Sequence, residues 1–208
     1  MTARPVRALL GLSGLVVALT LVSCTGDGME RADGDDTGRR SGSAGPTTRA
    51  ASDVGGRCPT LSRAQPRQDG LPGLELPCLG DGPSVNLADL RGVPTVLNVW
   101  AAWCTNCDRE MPLFASAVDR AGDRVRFFGV HYKAPRDYGL RSEVDFGVPF
   151  PSVHDEDGDL VVQRLRAAAP PQTLFLTAEG ALAGRKVGEI TSQAELDRLV
   201  QRYLGVRL

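Results

Sequence analysis

The chain has few lysines, only two histidines and no apolar run of membrane-spanning length, and these shortages narrow the classes of function. Among its 24 basic residues only Lys133 and Lys186 are lysines, and 25 acidic residues leave a formal net charge of -1. No basic run with interleaved aromatic residues occurs, so composition predicts neither nucleic acid nor an anionic membrane surface as partner. The 208 residues are enough for one domain with appendages.

An uncharged stretch near the N-terminus, from Ala8 to Val22, follows Arg4 and Arg7. Its 15 residues are too few to span a bilayer core of ~30 Å comfortably and have the length of a signal-peptide core. The stretch runs into Ser23 and Cys24, which resembles a bacterial lipoprotein signal. That resemblance implies cleavage before Cys24 and a lipid on its sulfur. An ordinary secretory signal or a short uncleaved anchor is the alternative.

The segment after Cys24 is rich in Gly, Asp, Ser, Thr and Arg up to residue 56. Such a composition buries too little apolar surface to offset its ordering entropy, so we expect a flexible tether. We therefore predict three parts: a signal peptide over 1–23, a lipid-attachment cysteine with linker over 24–56, and a folded domain over 57–208. Export places the domain in an extracytoplasmic, oxidising compartment, anchored to the outer face of the cell membrane, where disulfides persist.

The domain alternates short apolar runs with amphipathic stretches, which predicts an α/β fold with a central mixed β-sheet flanked by helices and an N-terminal β-hairpin extension. The predicted strands are Leu74–Leu76, Ser84–Leu87, Thr95–Ala101, Val125–His131, Gln172–Thr177 and Leu182–Val187. The predicted helices are Cys104–Ala121, Pro135–Phe146 and Thr191–Tyr203, with Thr191 or Ser192 as the last N-cap.

Two of the five cysteines, Cys104 and Cys107, stand between the predicted central strand and the helix that follows it. The start of a helix presents unpaired N–H groups and a positive dipole end, which stabilise a thiolate. The spacing allows Cys104 to attack a substrate disulfide and Cys107 to resolve the mixed disulfide. Half of a zinc site is the alternative, but no second pair of ligands is evident, since His131 and His154 are far apart in the sequence.

The sequence Asn-Val-Trp-Ala-Ala-Trp-Cys-Thr-Asn-Cys-Asp-Arg-Glu-Met-Pro (98–112) resembles the extracytoplasmic thioredoxin-like proteins of the TlpA/ResA/DsbE type. The segment Val-Asn-Leu-Ala-Asp-Leu-Arg-Gly (85–92) is typical of the same group. This resemblance covers the chain from about Gly73 onward. It implies a thioredoxin-like fold and dithiol–disulfide exchange at Cys104 and Cys107, without fixing the direction of electron flow.

Three further site residues follow from the resemblance. Pro171 matches the proline whose cis peptide bond faces the active-site disulfide, although the preceding Pro170 has no N–H to offer a substrate. Glu110 matches a glutamate of the cytochrome-maturation branch, placed to accept the proton of Cys107. Trp103 is expected to pack beside the disulfide; a solvated Glu110 and a core Trp103 are the alternatives. Asn98, which cannot titrate, stands where cytoplasmic thioredoxins carry a buried aspartate.

The other cysteine pair, Cys58 and Cys78, brackets a loop rich in Pro, Gln, Arg and Gly. In an oxidising compartment we expect a structural disulfide, with a second redox couple as the alternative. His131 is expected to be a partly buried structural residue and His154 a loop residue. The acidic turn after His154 lacks the full pattern of a calcium loop, and neither a metal nor a cofactor is predicted.

The leading functional hypothesis is a protein disulfide reductase that acts on exported clients, for example apocytochrome c before haem attachment. It would exchange electrons with a membrane thiol donor or acceptor. An oxidase that introduces disulfides is the opposed hypothesis, because Thr105 and Asn106 between the cysteines do not fix the potential. A copper metallochaperone is disfavoured by the two-residue spacing, and a peroxidase by the dithiol.

Overall fold

The computed structural model describes residues 54–208. The predicted signal peptide, Cys24 and nearly all of the predicted linker lie outside the described residues. Within 54–208, no helix combines the length and apolar character needed to cross a bilayer.

A five-stranded mixed sheet forms the centre of the domain, in the order β5-β4-β3-β6-β7. The central strand β3 pairs in parallel with β4 and antiparallel with β6, while β5 and β7 form the two outer positions. A separate antiparallel pair, β1 with β2, precedes it. The strands are Glu75–Leu76 (β1), Val85–Asn86 (β2), Thr95–Trp100 (β3), Arg126–Tyr132 (β4), Ser152–Asp155 (β5), Gln172–Leu176 (β6) and Leu182–Val187 (β7).

Four α-helices connect and cover these strands, and a bidentate ion pair between Arg120 and Asp197 joins the first helix to the last. Ser192 caps the last helix by accepting the Glu195 N–H. The helices are Thr105–Ala121 (α1), Arg136–Asp145 (α2), Asp159–Leu165 (α3) and Gln193–Leu204 (α4), with two short 3-10 helices at Leu87–Asp89 and Gly122–Arg124.

The run Thr-Val-Leu-Asn-Val-Trp forms β3, and every residue of it is buried. Helices and loops cover both faces of the sheet there, so alternate side chains serve two halves of one core. On the face toward α1, Phe114 packs edge-on against Phe127 and Phe150. The parallel connection from β3 through α1 to β4 brings the start of α1 to the carboxyl edge of the sheet, which is where β3 releases the chain.

The predicted fold class is confirmed, including the N-terminal hairpin and the β6–β7 hairpin, but the structure differs from expectation in two places. Strand β5 and helix α3 were not foreseen, because the four residues of β5 follow prolines and run into an acidic turn. His154 is a buried residue of β5 and not a loop residue. Gly55 is also buried, and it donates its N–H to the Val148 carbonyl.

Candidate active site

Cys104 and Cys107 form a disulfide at the first turn of α1, with a sulfur–sulfur distance of 2.07 Å. Cys104 is the N-cap residue, and its Sγ accepts the backbone N–H of Cys107 at 3.1 Å. The side chains differ in access: Cys104 is 6% exposed and Cys107 is fully buried. Of the two cysteines only Cys104 retains any exposed surface, and the helix start would stabilise its thiolate in the reduced form.

Glu110 lies one turn further along α1 than Cys107 and is completely buried. Its Oε1 accepts Asn98 Nδ2–H at 2.8 Å, and its Oε2 accepts the Ile190 N–H at 2.9 Å. Burial raises the pKa of Glu110 to about 7, although the two hydrogen bonds oppose that shift. The expected alternative of a solvated glutamate is therefore wrong. A carboxyl group with this pKa can exchange a proton near neutral pH.

Asn98 contributes an amide that the sequence analysis had treated only as a missing titratable group. Its Nδ2 lies 2.8 Å from Glu110 and 3.4 Å from Thr173 Oγ1, while its Oδ1 has no hydrogen-bond partner among the described residues. The unused Oδ1 matters because a rotated amide could accept the O–H of a protonated Glu110. Asn98 can therefore pair with either protonation state of the acid.

The peptide bond between Pro170 and Pro171 is cis, the isomer that the resemblance implies. Pro171 immediately precedes β6, whose first residue Gln172 pairs with Val99 near the end of β3. This register puts the proline loop at the same sheet edge as Cys104. The Pro171 carbonyl is already used, because it accepts the Gly188 N–H at 3.0 Å.

Trp103 is 55% exposed, so the alternative that it is a core residue is wrong. Its Nε1–H donates to the Lys133 carbonyl at 2.8 Å, and its ring lies 6.3 Å from that of Tyr132. Gly158, at a φ of +76°, packs against the Tyr132 ring, and a Cβ at this position would come within 2.8 Å of that ring. Trp103 is therefore a fixed aromatic surface directly before Cys104.

The second disulfide, Cys58–Cys78, belongs to another part of the sheet. Cys78 bridges to Val153 on β5, and that row continues through Val130 on β4 to Val99 on β3. With strands ~4.8 Å apart, Cys78 lies roughly 14 Å from the backbone of Val99. Cys78 thus lies about three strand spacings from β3, the strand that leads to Cys104, which argues against direct exchange between the two disulfides.

His131 and His154 lie side by side, with their Nδ1 atoms 3.0 Å apart. Burial lowers the pKa of both imidazoles, and that of His131 falls to about 3. Both Nε2 atoms lack hydrogen-bond partners among the described residues. One Nδ1–H must donate to the other Nδ1, so the two rings form a neutral pair. Within residues 54–208, no three His, Cys, Asp or Glu side chains are grouped to hold a metal ion.

Three residues that the sequence did not single out complete the surroundings of the disulfide: Arg109, Glu189 and Ile190. Arg109 contacts Asn106 and Glu189, and Ile190 binds Glu110. Glu189 and Ile190 follow β7 about eighty residues after the cysteines, and no local pattern links them to the motif. Arg109 was visible only as one more charge on the exposed side of α1.

A helix that starts with two cysteines, leaves a mixed sheet and faces a cis-proline defines the thioredoxin-like class of thiol–disulfide oxidoreductases. Within that class the chain belongs to the AhpC/TSA family, which it matches over residues 68–184. It is 32% identical over 134 residues to the thiol:disulfide interchange protein DsbE of Pseudomonas fluorescens biotype C, covering 64% of this chain and 73% of that protein. The resemblance to the DsbE type is thereby confirmed.

Solved structures agree with this assignment. The dsbF structure from M. tuberculosis, in mixed oxidised and reduced forms, superposes with a TM-score of 0.56 at 27% identity, covering 63% of this chain and 97% of that one. A secreted M. tuberculosis disulfide oxidoreductase homologous to E. coli DsbE gives a TM-score of 0.52 at 24% identity, covering 60% and 91%. The second likeness establishes the fold. The chain is a thiol–disulfide oxidoreductase of the DsbE-like group.

Proposed function

We propose that this protein is a disulfide reductase that acts on exported client proteins through Cys104 and Cys107. The observation that carries the proposal is the difference between the surroundings of Cys104 and Cys107 at the start of α1. Cys104 caps the helix and keeps 6% of its surface exposed, whereas Cys107 has no exposed surface and lies one helical turn from Glu110, a buried acid with a pKa raised to about 7. This arrangement supplies an entering nucleophile, a resolving thiol and a proton acceptor.

The reaction starts from the dithiol form. The Cys104 thiolate attacks one sulfur of the client disulfide, and the other client sulfur leaves as a thiolate. Cys107 then transfers its proton to Glu110 and attacks Cys104 Sγ, which releases the second client thiolate and forms the disulfide of the oxidised protein. Two electrons pass to the client, so a thiol donor must reduce the Cys104–Cys107 disulfide before another cycle.

Pro171 and Trp103 frame the position from which a client approaches Cys104. Trp103 offers an exposed aromatic face whose indole N–H is already bonded to Lys133. Because Pro170 has no N–H, the backbone beside Pro171 can accept a hydrogen bond from an extended client segment but cannot donate one at that residue. We therefore assign both residues to client docking.

Cys58 and Cys78 are assigned a structural role. Both side chains are buried, and their sulfurs lie within 3.4–3.6 Å of the Ser152 carbonyl on β5. The bond ties the segment that enters the domain to the edge of the sheet. Its distance from the active site argues against a relay of electrons between the two disulfides.

The cellular setting extends the proposal. A lipid on Cys24 and a linker over 24–56 would hold the domain at the outer face of the cell membrane, after removal of a signal peptide over 1–23. There the protein would receive electrons from a membrane thiol donor and pass them to exported clients, with apocytochrome c as one candidate. The support is the N-terminal sequence together with similarity to DsbE proteins.

The test is the reduction potential of the Cys104–Cys107 couple in the full-length protein. The protein is equilibrated in glutathione or dithiothreitol buffers and trapped by alkylation, and mass spectrometry of peptides separates this couple from Cys58–Cys78. A potential of about -270 mV or lower is expected for a reductase. A value of about -120 to -180 mV would instead indicate an oxidase or isomerase and overturn the proposal.

A further inference from the structure

Three consecutive residues between β7 and α4 each contact a different part of the active site. Gly188 donates its N–H to the Pro171 carbonyl at 3.0 Å, and Ile190 donates its N–H to Glu110 Oε2 at 2.9 Å. Between them, the Glu189 carboxylate binds the guanidinium of Arg109. We call residues 188–190 the strap. It connects the proline loop, the first turns of α1 and the buried acid.

The ion pair that holds the strap has a defined geometry. Arg109 Nε lies 3.1 Å from Glu189 Oε1, and Arg109 Nη2 lies 2.6 Å from Glu189 Oε2. The same Nη2 also donates to Asn106 Oδ1 at 2.7 Å. Asn106 stands between the two cysteines, so one guanidinium links the redox dipeptide to the strap. Planar bidentate contacts of this kind fix orientation better than a single charge contact does.

We propose that Arg109 and Glu189 are positioning residues that clamp the strap, hold the Ile190 N–H on Glu110 and thereby set the pH range in which Cys107 resolves the mixed disulfide. The role rests on the proposed function, in which Glu110 accepts the proton of Cys107. Neither residue touches the reacting sulfurs. They act through the strap on the group that moves the proton.

The charges around Glu110 determine the expected sign. Glu189 raises the pKa of Glu110 and Lys186 lowers it, in addition to the larger effect of burial. Removing Arg109 leaves the Glu189 charge uncompensated and frees the strap, which weakens the hydrogen bond from Ile190. Both changes disfavour the ionised carboxylate, so the pKa of Glu110 should rise. The other groups near the acid are Asn98, Thr173 and Cys107, and Lys186 is itself paired with Glu195.

An ordinary surface ion pair is the competing interpretation, since Arg109 is 54% exposed and Glu189 is 18% exposed. Such a pair would affect stability slightly and leave the acid unchanged. The chain offers a matched control in Arg120 and Asp197, which form a bidentate pair between α1 and α4 at 2.8–2.9 Å. Arg120→Gln removes a comparable contact from the same helix without touching the strap.

The experiment compares Arg109→Gln, Glu189→Gln and Arg120→Gln in the full-length oxidised protein by amide hydrogen exchange. Opening of the strap should make the Ile190 amide exchange at least about 10-fold faster in the first two variants, with no change in Arg120→Gln. Equal exchange rates for Ile190 in Arg109→Gln and in the unmodified protein would overturn the clamp.

A second readout separates the clamp from the proposed function. The Glu110 carboxyl is titrated by NMR after carbon-13 labelling, and we expect Arg109→Gln to raise its pKa by about half a unit or more. The pH profile of disulfide exchange should move upward by the same amount. If the titration of Glu110 moves and the exchange profile does not, the clamp stands and the proton-transfer role of Glu110 fails. If neither moves, the clamp fails and the proposed function is untouched.

Discussion

The two disulfides of this protein have the same chemistry and different surroundings. Cys58–Cys78 is buried at both sulfurs, lies against the Ser152 carbonyl and bridges extended segments at the edge of the sheet. Cys104–Cys107 starts a helix at the carboxyl edge, next to the exposed Trp103. Cys104 and Cys78 are almost equally buried, at 6% and 5% exposed, so exposure alone does not separate the two bonds. The start of α1 would stabilise a thiolate at Cys104, whereas Cys58 and Cys78 lie in extended segments.

Each disulfide also has a buried acid in its region, which makes the comparison sharper. Burial raises the pKa of both Glu110 and Glu143 to about 7. Glu110 accepts two hydrogen bonds and follows Cys107 on the same helix. Glu143 lies beside Gly55 and Gly80, near the structural bond. A raised pKa alone therefore does not identify a catalytic acid. The position of Glu110 one helical turn from Cys107 is what supports its proposed role.

The largest predicted effect is the loss of exchange when the exposed sulfur is removed. Cys104→Ser should lower the rate of client-disulfide reduction by a factor of about 10³ or more, because the variant lacks the proposed entering nucleophile. The double variant Cys58→Ser/Cys78→Ser is the matched control and should keep its rate. Reduction of a disulfide-containing peptide measures both, and comparable losses in the two variants would contradict the assignment.

The next largest effect concerns the two acids. Glu110→Gln should slow resolution of the mixed disulfide by about 10²-fold near neutral pH, because Cys107 loses its proton acceptor. Glu143→Gln should leave that rate unchanged. Stopped-flow measurement of client release from the mixed disulfide tests this, and an equal loss in Glu143→Gln would show that the effect is not specific to the active site.

Stability should respond to both acids in the same direction. Each folded-state pKa of about 7 lies above the ordinary value of 4.5, so folding takes up protons between these values. The free energy of unfolding therefore falls as pH rises from about 4.5 through 7. Glu110→Gln and Glu143→Gln should each reduce this loss of unfolding free energy, by up to about 3 kcal/mol at pH 8. Urea unfolding from pH 5 to 8 measures it, and an unchanged slope would contradict the burial of the charge.

Removing the structural bond should cost stability and little else. Cys58→Ser/Cys78→Ser opens a loop with a sequence separation of 20, which lowers the free energy of unfolding by about 3 kcal/mol on loop-closure entropy. The potential of Cys104–Cys107 should stay the same, since Cys78 lies about three strand spacings from β3, the strand that leads to Cys104. A shifted potential in this variant would favour the alternative, in which Cys58–Cys78 is a second redox couple that exchanges electrons with Cys104–Cys107.

The smallest predicted effect is at Trp103. Trp103→Ala removes an exposed ring that contacts Tyr132 and the Lys133 carbonyl, so stability should change by no more than about 1 kcal/mol. Client reduction should weaken a few-fold through KM, because the ring forms part of the docking surface. Tyr138→Ala, at an equally exposed aromatic on α2, is the control. An unchanged KM would remove Trp103 from the docking surface.

Local pattern was enough to place Cys104 and Cys107 at a helix start. The apolar run of β3, followed at once by two cysteines and a helical periodicity, defined a thiol pair at a helix start without any distant contact. The two hairpins were equally readable from alternation and turn residues. Four-residue β5 was missed because a short strand after prolines has no period long enough to recognise, and His154 was misplaced with it.

The sequence by itself determined the class and the family of the protein and predicted the redox pair, because these depend on residues close together in the chain. Only the tertiary structure decided which of the two cysteines retains exposed surface, that Glu110 is buried, and that Cys78 lies on the β5 side of the sheet. The contact of Ile190 with Glu110 joins residues 80 positions apart. Burial and such long-range hydrogen bonds set the pKa of the acid, and both arise only when the sheet, α1 and the strap pack together.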